Sequence, residues 1–302
     1  MNLDESRYQK NAIEAIRQWS QFLQSTREFL YQKGYLEITT SFLVEAGAFE
    51  STIDPLQAYF TDGIRELHTS PEMEMKRLIA EAKTSVFQIA KCFRDDPDTT
   101  IHGKEFSMLE FYKMDADYAQ LINEVKALFT KLSPAPLVFK EVSIHDVFLE
   151  VLEIDLDKYP TVQSLSAIVQ EKGLLTPEKQ DTWEDLFFKL MIEKIEPSFD
   201  PKVVTVVKDY PAATSVLSKT SPNPFYSERF EIYYLGIELC NGCTEATSVP
   251  LLEKNYLNES EKRKGEGKDP HPKPHAFLKS MKNFPNCSGV AIGLDRLFLC
   301  LV

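Results

Sequence analysis

Residues 86–94 and 105–113 are two strand-forming runs joined by a polar loop, Asp95 to Lys104, and this pair constrains the fold more than any other feature of the chain. In the second run a period of two sets Phe106, Met108, Glu110 and Tyr112 on one face. In the first, Arg94 shares its face with Gln88, Ala90 and Cys92. The neighbouring segments do not follow a βαβ rhythm. A helical spacing of apolar residues (Ile13, Ile16, Phe22, Leu23, Phe29, Leu30) ends at Gly34, and a short strand, Tyr35 to Thr39, follows. Residues 48–69 read as irregular β structure turning at Asp54-Pro55 and Asp62-Gly63. Ser70 as N-cap and Pro71 at the first helical position start a helix that runs to about Ala82.

Further along, Pro134 and Pro136 mark residues 133–140 as a linker, and 141–200 is mostly helical, most clearly from Thr182 to Ile195. Val203 to Val207 is a strand, and 229–240 is a hairpin turning at Leu235-Gly236. The charged, proline-containing stretch 258–274 reads as a loop, and Gly289 to Gly293 as a glycine-rich turn into an apolar helix. Strands with helices between and after them predict an α+β domain, a mostly antiparallel sheet flanked by helices. Neither G-x-G-x-x-G nor G-x-x-x-x-G-K-[ST] occurs, so any nucleotide site uses another cradle.

With 302 residues, 43% of them hydrophobic, the chain can bury one large core or two modest ones. Its net charge of −12 argues against an extensive nucleic-acid surface, which needs Lys and Arg against phosphate. The densest basic cluster, Lys262, Arg263, Lys264 and Lys268, is interrupted by Glu261, Glu266 and Asp269 and reads as a solvated loop. Five cysteines and no leader argue against a secreted disulfide framework. Cys240 and Cys243 lack the second Cys/His pair that a zinc site needs and read as small residues beside a site. No apolar run approaches the ~20 residues of a membrane span, and the polar N-terminus is not a signal peptide. A cytoplasmic protein without a membrane partner is expected.

Three places carry candidate chemistry. On the first hairpin, the Arg94 guanidinium can grip a phosphate and Phe106 can stack on a base; a packed Phe106 and a surface pair of Arg94 with Asp95 or Asp96 is the alternative. On the second, a two-residue turn at 235–236 puts Glu231 diagonally across from Glu238 on one face, roughly 7–8 Å apart at Cα. Such a pair suits Mg²⁺ bound to phosphate oxygens, and equally suits two solvent-facing glutamates. Finally, Arg296 in the opening turn of the last helix opposes the helix dipole and calls for an anionic partner, either a polyphosphate or an acid such as Asp295.

Taken together, Phe93-Arg94-Asp95-Asp96 with His102-Gly103-Lys104-Glu105-Phe106 through Glu110 and Tyr112 resembles motif 2 of the class II aminoacyl-tRNA synthetases. Gly293-Leu294-Asp295-Arg296 resembles their motif 3. Thr69-Ser70-Pro71-Glu72 and Glu238 through Asn241-Gly242 to Glu245 match the lysine-specific branch. Pro285-Asn286-Cys287-Ser288-Gly289-Val290-Ala291 is similar to the short lysyl-tRNA synthetase paralogues that act on elongation factor P, with Ala291 where the tRNA enzymes carry glycine. The resemblance runs from about residue 15 to the end of the chain. It implies a single class II synthetase-type catalytic domain over 1–302 with a helical insertion at about 141–200, no anticodon-binding domain, and a homodimer.

The activity it implies is activation of lysine or (R)-β-lysine by ATP and Mg²⁺ to an adenylate, then transfer to a lysine of elongation factor P rather than to tRNA. Implied roles follow the motifs. Arg94 and Arg296 act catalytically on the phosphates. Asp96, His102 and Phe106 bind ATP, and Glu231 and Glu238 hold the metal. Ser70, Glu72, Glu110, Tyr112, Asn241, Glu245 and Ala291 bind the amino acid; Glu72 takes the amino group near the reacting end, and Glu245 and Tyr112, with Glu110, take the distal ammonium. The chain departs from the motifs at Asp96, where glutamate is usual, at Gly103 for asparagine and at Ser41 for proline. It also ends soon after motif 3, where the family usually continues. A free-standing enzyme acting on tRNA or another acceptor, and a catalytically silent regulatory paralogue, stay open beside this reading.

Overall fold

The computed structural model describes residues 12–97, 99 and 103–302. They form two compact units, one from the residues through Pro136 together with Gly242–Val302, the other from Leu137–Asn241. The proline-bearing stretch 133–140 contains the first boundary.

In chain order the first unit supplies α1 (Ala12–Gln32), β1 (Leu36–Glu37), β2 (Leu43–Val44), β3 (Gln57–Phe60), β4 (Gly63–Leu67), α2 (Glu72–Ala82), β5 (Val86–Phe93), β6 (Glu105–Met114) and α3 (Tyr118–Leu132). The second supplies β7 (Phe139–Ser143), α4 (Ile144–Leu152), α5 (Val162–Glu171), α6 (Trp183–Leu190), β8 (Val204–Lys208), β9 (Arg229–Tyr234) and most of β10 (Ile237–Thr244). The chain completes the first unit with α7 (Val249–Gly265), α8 (His275–Ser280), β11 (Cys287–Gly293) and α9 (Leu294–Leu301).

In the first unit the strands run β1-β5-β6-β11, with only the β1–β5 pair parallel. Phe87 and Phe111 point to one side, where Tyr31 and Tyr35 meet them edge-on and Phe298 of α9 packs on Trp19 and Phe22 of α1. That side is an ordinary apolar core. Gly34, at φ +86°, ends α1 by letting Tyr35 N–H return to the Leu30 carbonyl. Arg27 then pairs with Glu37 at 2.9 Å and ties the helix to β1.

In the second unit the order is β10-β9-β8-β7. Its core gathers Phe148, Leu186, Phe187, Leu190, Ile195 and Tyr210, with the Phe148 and Phe187 rings stacked 5.3 Å apart. Ser143, Thr161 and Thr182 cap α4, α5 and α6, each accepting from the backbone N–H three residues on. The β9–β10 turn falls at the two residues expected. Leu235 (φ 53°) and Gly236 (φ 75°) are both left-handed, as a two-residue turn matched to strand twist demands, although Leu235 pays a steric cost there. The fold class is α+β with mostly antiparallel pairing, as the sequence predicts.

Three local expectations are corrected. Residues 258–265 of the stretch 258–274 expected to be loop belong to helix α7: Ser248 caps it, Pro250 sits in its first turn, and its mixed charges form i,i+3 pairs, Glu259–Lys262 and Glu261–Lys264. The basic cluster is therefore paired, with Arg263 buried against Asp54 at 2.8 Å and Lys268 on the same carboxylate at 2.9 Å. Gly289 to Gly293 is strand, not turn: Gly289 serves close packing over the sheet, and only Gly293, which precedes α9, marks a change of direction. Helix α2 begins at Glu72, one residue later than read, with Ser70 Oγ accepting from Glu72 N–H at 3.4 Å. The five cysteines are free, and among the described residues no helix is long and apolar enough to cross a membrane.

Candidate active site

Strand register assembles the first unit's candidate pocket on the face opposite Phe87 and Phe111. Cys92 faces Phe106, Ala90 faces Met108, Gln88 faces Glu110 and Val86 faces Tyr112; across β6, Glu110 faces Ala291 and Tyr112 faces Gly289. Because side chains alternate, these residues share one surface. Its middle is apolar, with Ala90, Cys92 and Met108 packed together and joined by Phe106 and Ala291. Its two ends are polar. Four residues of strand, about 14 Å, separate Phe106 from Glu110.

At one end Arg94 lies over the Phe106 ring, 5.3 Å from its centroid, with Nε 3.3 Å from the Thr69 carbonyl. Asp95 instead pairs with Lys104 at 2.5 Å, so the surface pairing of Arg94 with Asp95 considered above is not formed. Arg94 and Phe106 are half-buried, leaving a cation and a ring face at a partly open rim. Asp96 is half-buried beside them in sequence, and His102 lies outside the described residues. Asp295 is turned into the protein, accepting from Ser107 N–H at 2.5 Å, which anchors the start of α9 and half-buried Arg296 to β6.

The other end is sealed. Tyr112 donates its hydroxyl hydrogen to Glu110 Oε1, while Glu110 Oε2 is buried without a hydrogen-bond partner. Glu245 follows β10, fixed by its own N–H to the Cys287 carbonyl at 3.0 Å. Gly289 is required beneath these groups: a Cβ there would stand 2.3 Å from Tyr112 Cε1 and 2.5 Å from Glu245 Oε1. Lys76 reaches in from α2, only 1% exposed, with Nζ 2.5 Å from Glu72 Oε1, 2.6 Å from Glu245 Oε2 and 5.9 Å from the Tyr112 centroid. Burial, reinforced by Glu72, holds the Glu110 carboxyl well above the usual carboxylate range. Burial also pushes Glu245 up to about 7 despite Lys76. Burial opposes charge on Lys76, but Glu245 and Glu72 outweigh it and keep the ammonium protonated.

The second unit holds the other carboxylate cluster. Glu231 is buried rather than solvent-facing, with Oε1 2.6 Å from Arg229 Nη2 and Oε2 accepting from Tyr210 and Tyr233 hydroxyls at 2.6 and 2.5 Å. Arg229 lies 4.8 Å from the Tyr210 centroid and donates to Asn241 Oδ1 at 3.2 Å. Burial first, then Glu231, raises both tyrosines and keeps them hydroxyl donors. Glu238 and Asn241 are half-buried.

Lys76, Arg229 and the packing role of Gly289 are the residues that sequence reasoning missed. Lys76 had a signal: it sits four residues from Glu72 and on the same helical stripe as Met75, Ile79 and Ala80, where a lysine needs a buried acid.

This arrangement of a mostly antiparallel sheet with an arginine–aromatic rim and an acid-rich end defines a class. The chain belongs to the class II tRNA synthetases of the D, K and N group, whose family model matches residues 3–302. Within that family it is similar to the elongation factor P–(R)-β-lysine ligase homolog of Aquifex aeolicus, 32% identical over 293 residues, covering 95% of this chain and 94% of the relative. It is likewise similar to the elongation factor P–(R)-β-lysine ligase of Vibrio vulnificus, 31% identical over 300 residues, covering 95% and 91%.

Proposed function

We propose that the chain uses ATP to activate lysine or (R)-β-lysine as its adenylate and transfers the acyl group to a lysine side chain of elongation factor P. The observation that carries this reading is the sealed end of the pocket, where Glu245, Glu110 and Tyr112 are buried together over Gly289. Buried carboxyl groups in an otherwise apolar trough are costly unless a cation meets them, and the ammonium of a long amino acid is such a cation. Glu72 takes the amino group nearer the reacting carboxylate, Asn241 orients that carboxylate, and Ser70 and Ala291 shape the walls.

In the first step a carboxylate oxygen of the amino acid attacks the α-phosphorus, the bond to the β-phosphate oxygen breaks, and pyrophosphate leaves. Two anions meet in this step, so charge neutralisation and in-line placement do more than a general base could. Arg94 and Arg296 supply the charge, Phe106 stacks on the adenine, and Asp96 and His102 add contacts to ATP. In the second step the neutral ε-amine of the acceptor attacks the carbonyl carbon and AMP leaves.

Mg²⁺ would neutralise phosphate charge when bound. Glu238 and Glu231 would hold it, and the surroundings of Glu231 fit a single-oxygen ligand: Oε2 is filled by two hydroxyls, whereas Oε1, with one contact to Arg229, keeps a lone pair.

Two facts support the protein acceptor: both relatives are named for elongation factor P, and a net charge of −12 suits tRNA phosphates poorly. The test is transfer of labelled lysine or (R)-β-lysine, with ATP, to purified elongation factor P and in parallel to total tRNA. Label on the factor alone is expected. Label on tRNA and none on the factor would replace this reading with a tRNA enzyme, and absence of pyrophosphate exchange would leave a silent paralogue.

A further inference from the structure

The buried end of the pocket sets three carboxylates, Glu110, Glu245 and the partly exposed Glu72, around one internal ammonium, Lys76. They come from separate parts of the chain: Glu72 and Lys76 from α2, Glu110 with Tyr112 from β6, and Glu245 from the segment after β10. Cys243 on β10 and Cys287 on β11 are the other titratable groups facing the cluster, and Glu50 faces Glu72.

Fully ionised, the three acids and one lysine leave two negative charges unmatched, and Glu110 Oε2 has no hydrogen-bond partner. A monoamine could answer only one of those charges, whereas a diamino acid brings two. Lys76 decides this count. It spans Glu72 and Glu245, with Nζ 2.5 and 2.6 Å from them, and so sets one fixed positive charge between the two carboxylates that the preceding proposal gives to the two amino groups of the substrate.

We propose that Lys76 is a specificity-determining positioning residue, a resident ammonium that pairs with Glu72 and Glu245 and holds them aimed so that the pocket admits a diammonium amino acid and rejects its monoamine isostere. Without it, Glu72 would lose its partner, and Glu110 and Glu245 would share one buried enclosure with no counter-ion. Protons would then fill them, since like carboxylates at close range cannot all ionise. A neutral pocket of that kind has little to offer a second ammonium and little reason to refuse a methyl group.

The inference rests on the activation reaction proposed above, and the experiment separates the two. Pyrophosphate exchange is measured with lysine or (R)-β-lysine, and with norleucine, from pH 6 to 9 for the full chain and for Lys76→Met. Expected for the variant are a KM for the diamino acid raised at least tenfold, a norleucine KM changed less than threefold, and an acid limb moved up by a pH unit or more. Lys76→Arg, which keeps the charge, should bring the limb back towards its original position. If Lys76→Met does not fold, Lys76→Gln combined with Glu72→Gln removes both ends of that pair. The ratio of diamino acid to norleucine remains readable on it, because both substrates share the amino group that Glu72 meets. A folded variant that keeps the original ratio and acid limb overturns the role of Lys76 while the proposed activity stands. No exchange by the unaltered chain with either diamino acid overturns both.

Discussion

Gly289 shows how one missing atom fixes the pocket. Tyr112 and Glu245 both press on the space its Cβ would fill, so Gly289→Ala must displace one of them. Overpacking of this kind costs about 1–3 kcal/mol. The expected outcome is a lowered denaturant midpoint together with a larger loss of affinity for the amino acid than for ATP, read by calorimetric titration. Glu231 and Glu238 should separate in the same way. Glu231 shares a buried ion pair with Arg229, and breaking one side of such a pair costs about 3–5 kcal/mol. Glu231→Gln should therefore lower stability in a denaturant melt as well as raise the Mg²⁺ requirement of pyrophosphate exchange, whereas Glu238→Gln, at a half-buried position, should raise the Mg²⁺ requirement with a smaller shift of the melt.

Protonation belongs to this scale too. Glu245 is pushed up to about 7, so between its ordinary value and 7 the folded chain keeps a proton that the unfolded chain has released. Stability then falls as pH rises across that window, while the ionised carboxylate needed for an ammonium appears only as pH passes about 7. Amino-acid affinity measured from pH 6 to 8 should rise, and a flat profile would remove Glu245 from ammonium recognition.

At the scale of elements, α7 is tied to its neighbours by Glu259, which accepts from Ser51 N–H, by Tyr256, which donates to the His271 carbonyl, and most extensively by one arginine. Arg263 donates to Ser51 O at 2.9 Å, to Asp54 Oδ1 at 2.8 Å and to Asp269 O at 2.7 Å, joining the helix to the segments on either side. Its loss would leave a buried carbonyl and a carboxylate short of a donor, at about 1–3 kcal/mol for each buried group. Arg263→Ala should raise amide exchange at 50–54 and 266–271 while leaving β5 and β6 protected. Uniform exchange across the first unit would show that α7 is not a local clamp. The helix was misread because alternating charges look alike in a solvated loop and on a helix surface, and only the i,i+3 geometry of Glu259–Lys262 and Glu261–Lys264 tells them apart.

At the scale of the whole molecule, residues 137–241 carry an apolar core drawn entirely from their own sequence. Expressed alone, this segment should melt cooperatively and retain near-ultraviolet dichroism from Trp183, which stacks on Phe187, itself stacked on Phe148. A featureless near-ultraviolet spectrum would show that the segment's core needs the rest of the chain.

The sequence by itself determined what depends on period and turn chemistry. The alternation of 105–113 fixed which residues share a face of β6, and Leu235-Gly236 fixed the hairpin, because these are local properties of the backbone. It also carried the family, since the spaced motifs around Arg94, Glu238 and Arg296 lie along a chain whose family model runs from residue 3 to 302. Tertiary structure alone decided what balances the charges. That Lys76 meets Glu245, that the Tyr210 hydroxyl meets Glu231, and that Arg263 meets Asp54 are contacts between residues far apart in the chain. A charged side chain reads the same in a sequence whether water or a buried partner surrounds it. Only packing settles which, because only packing removes the water.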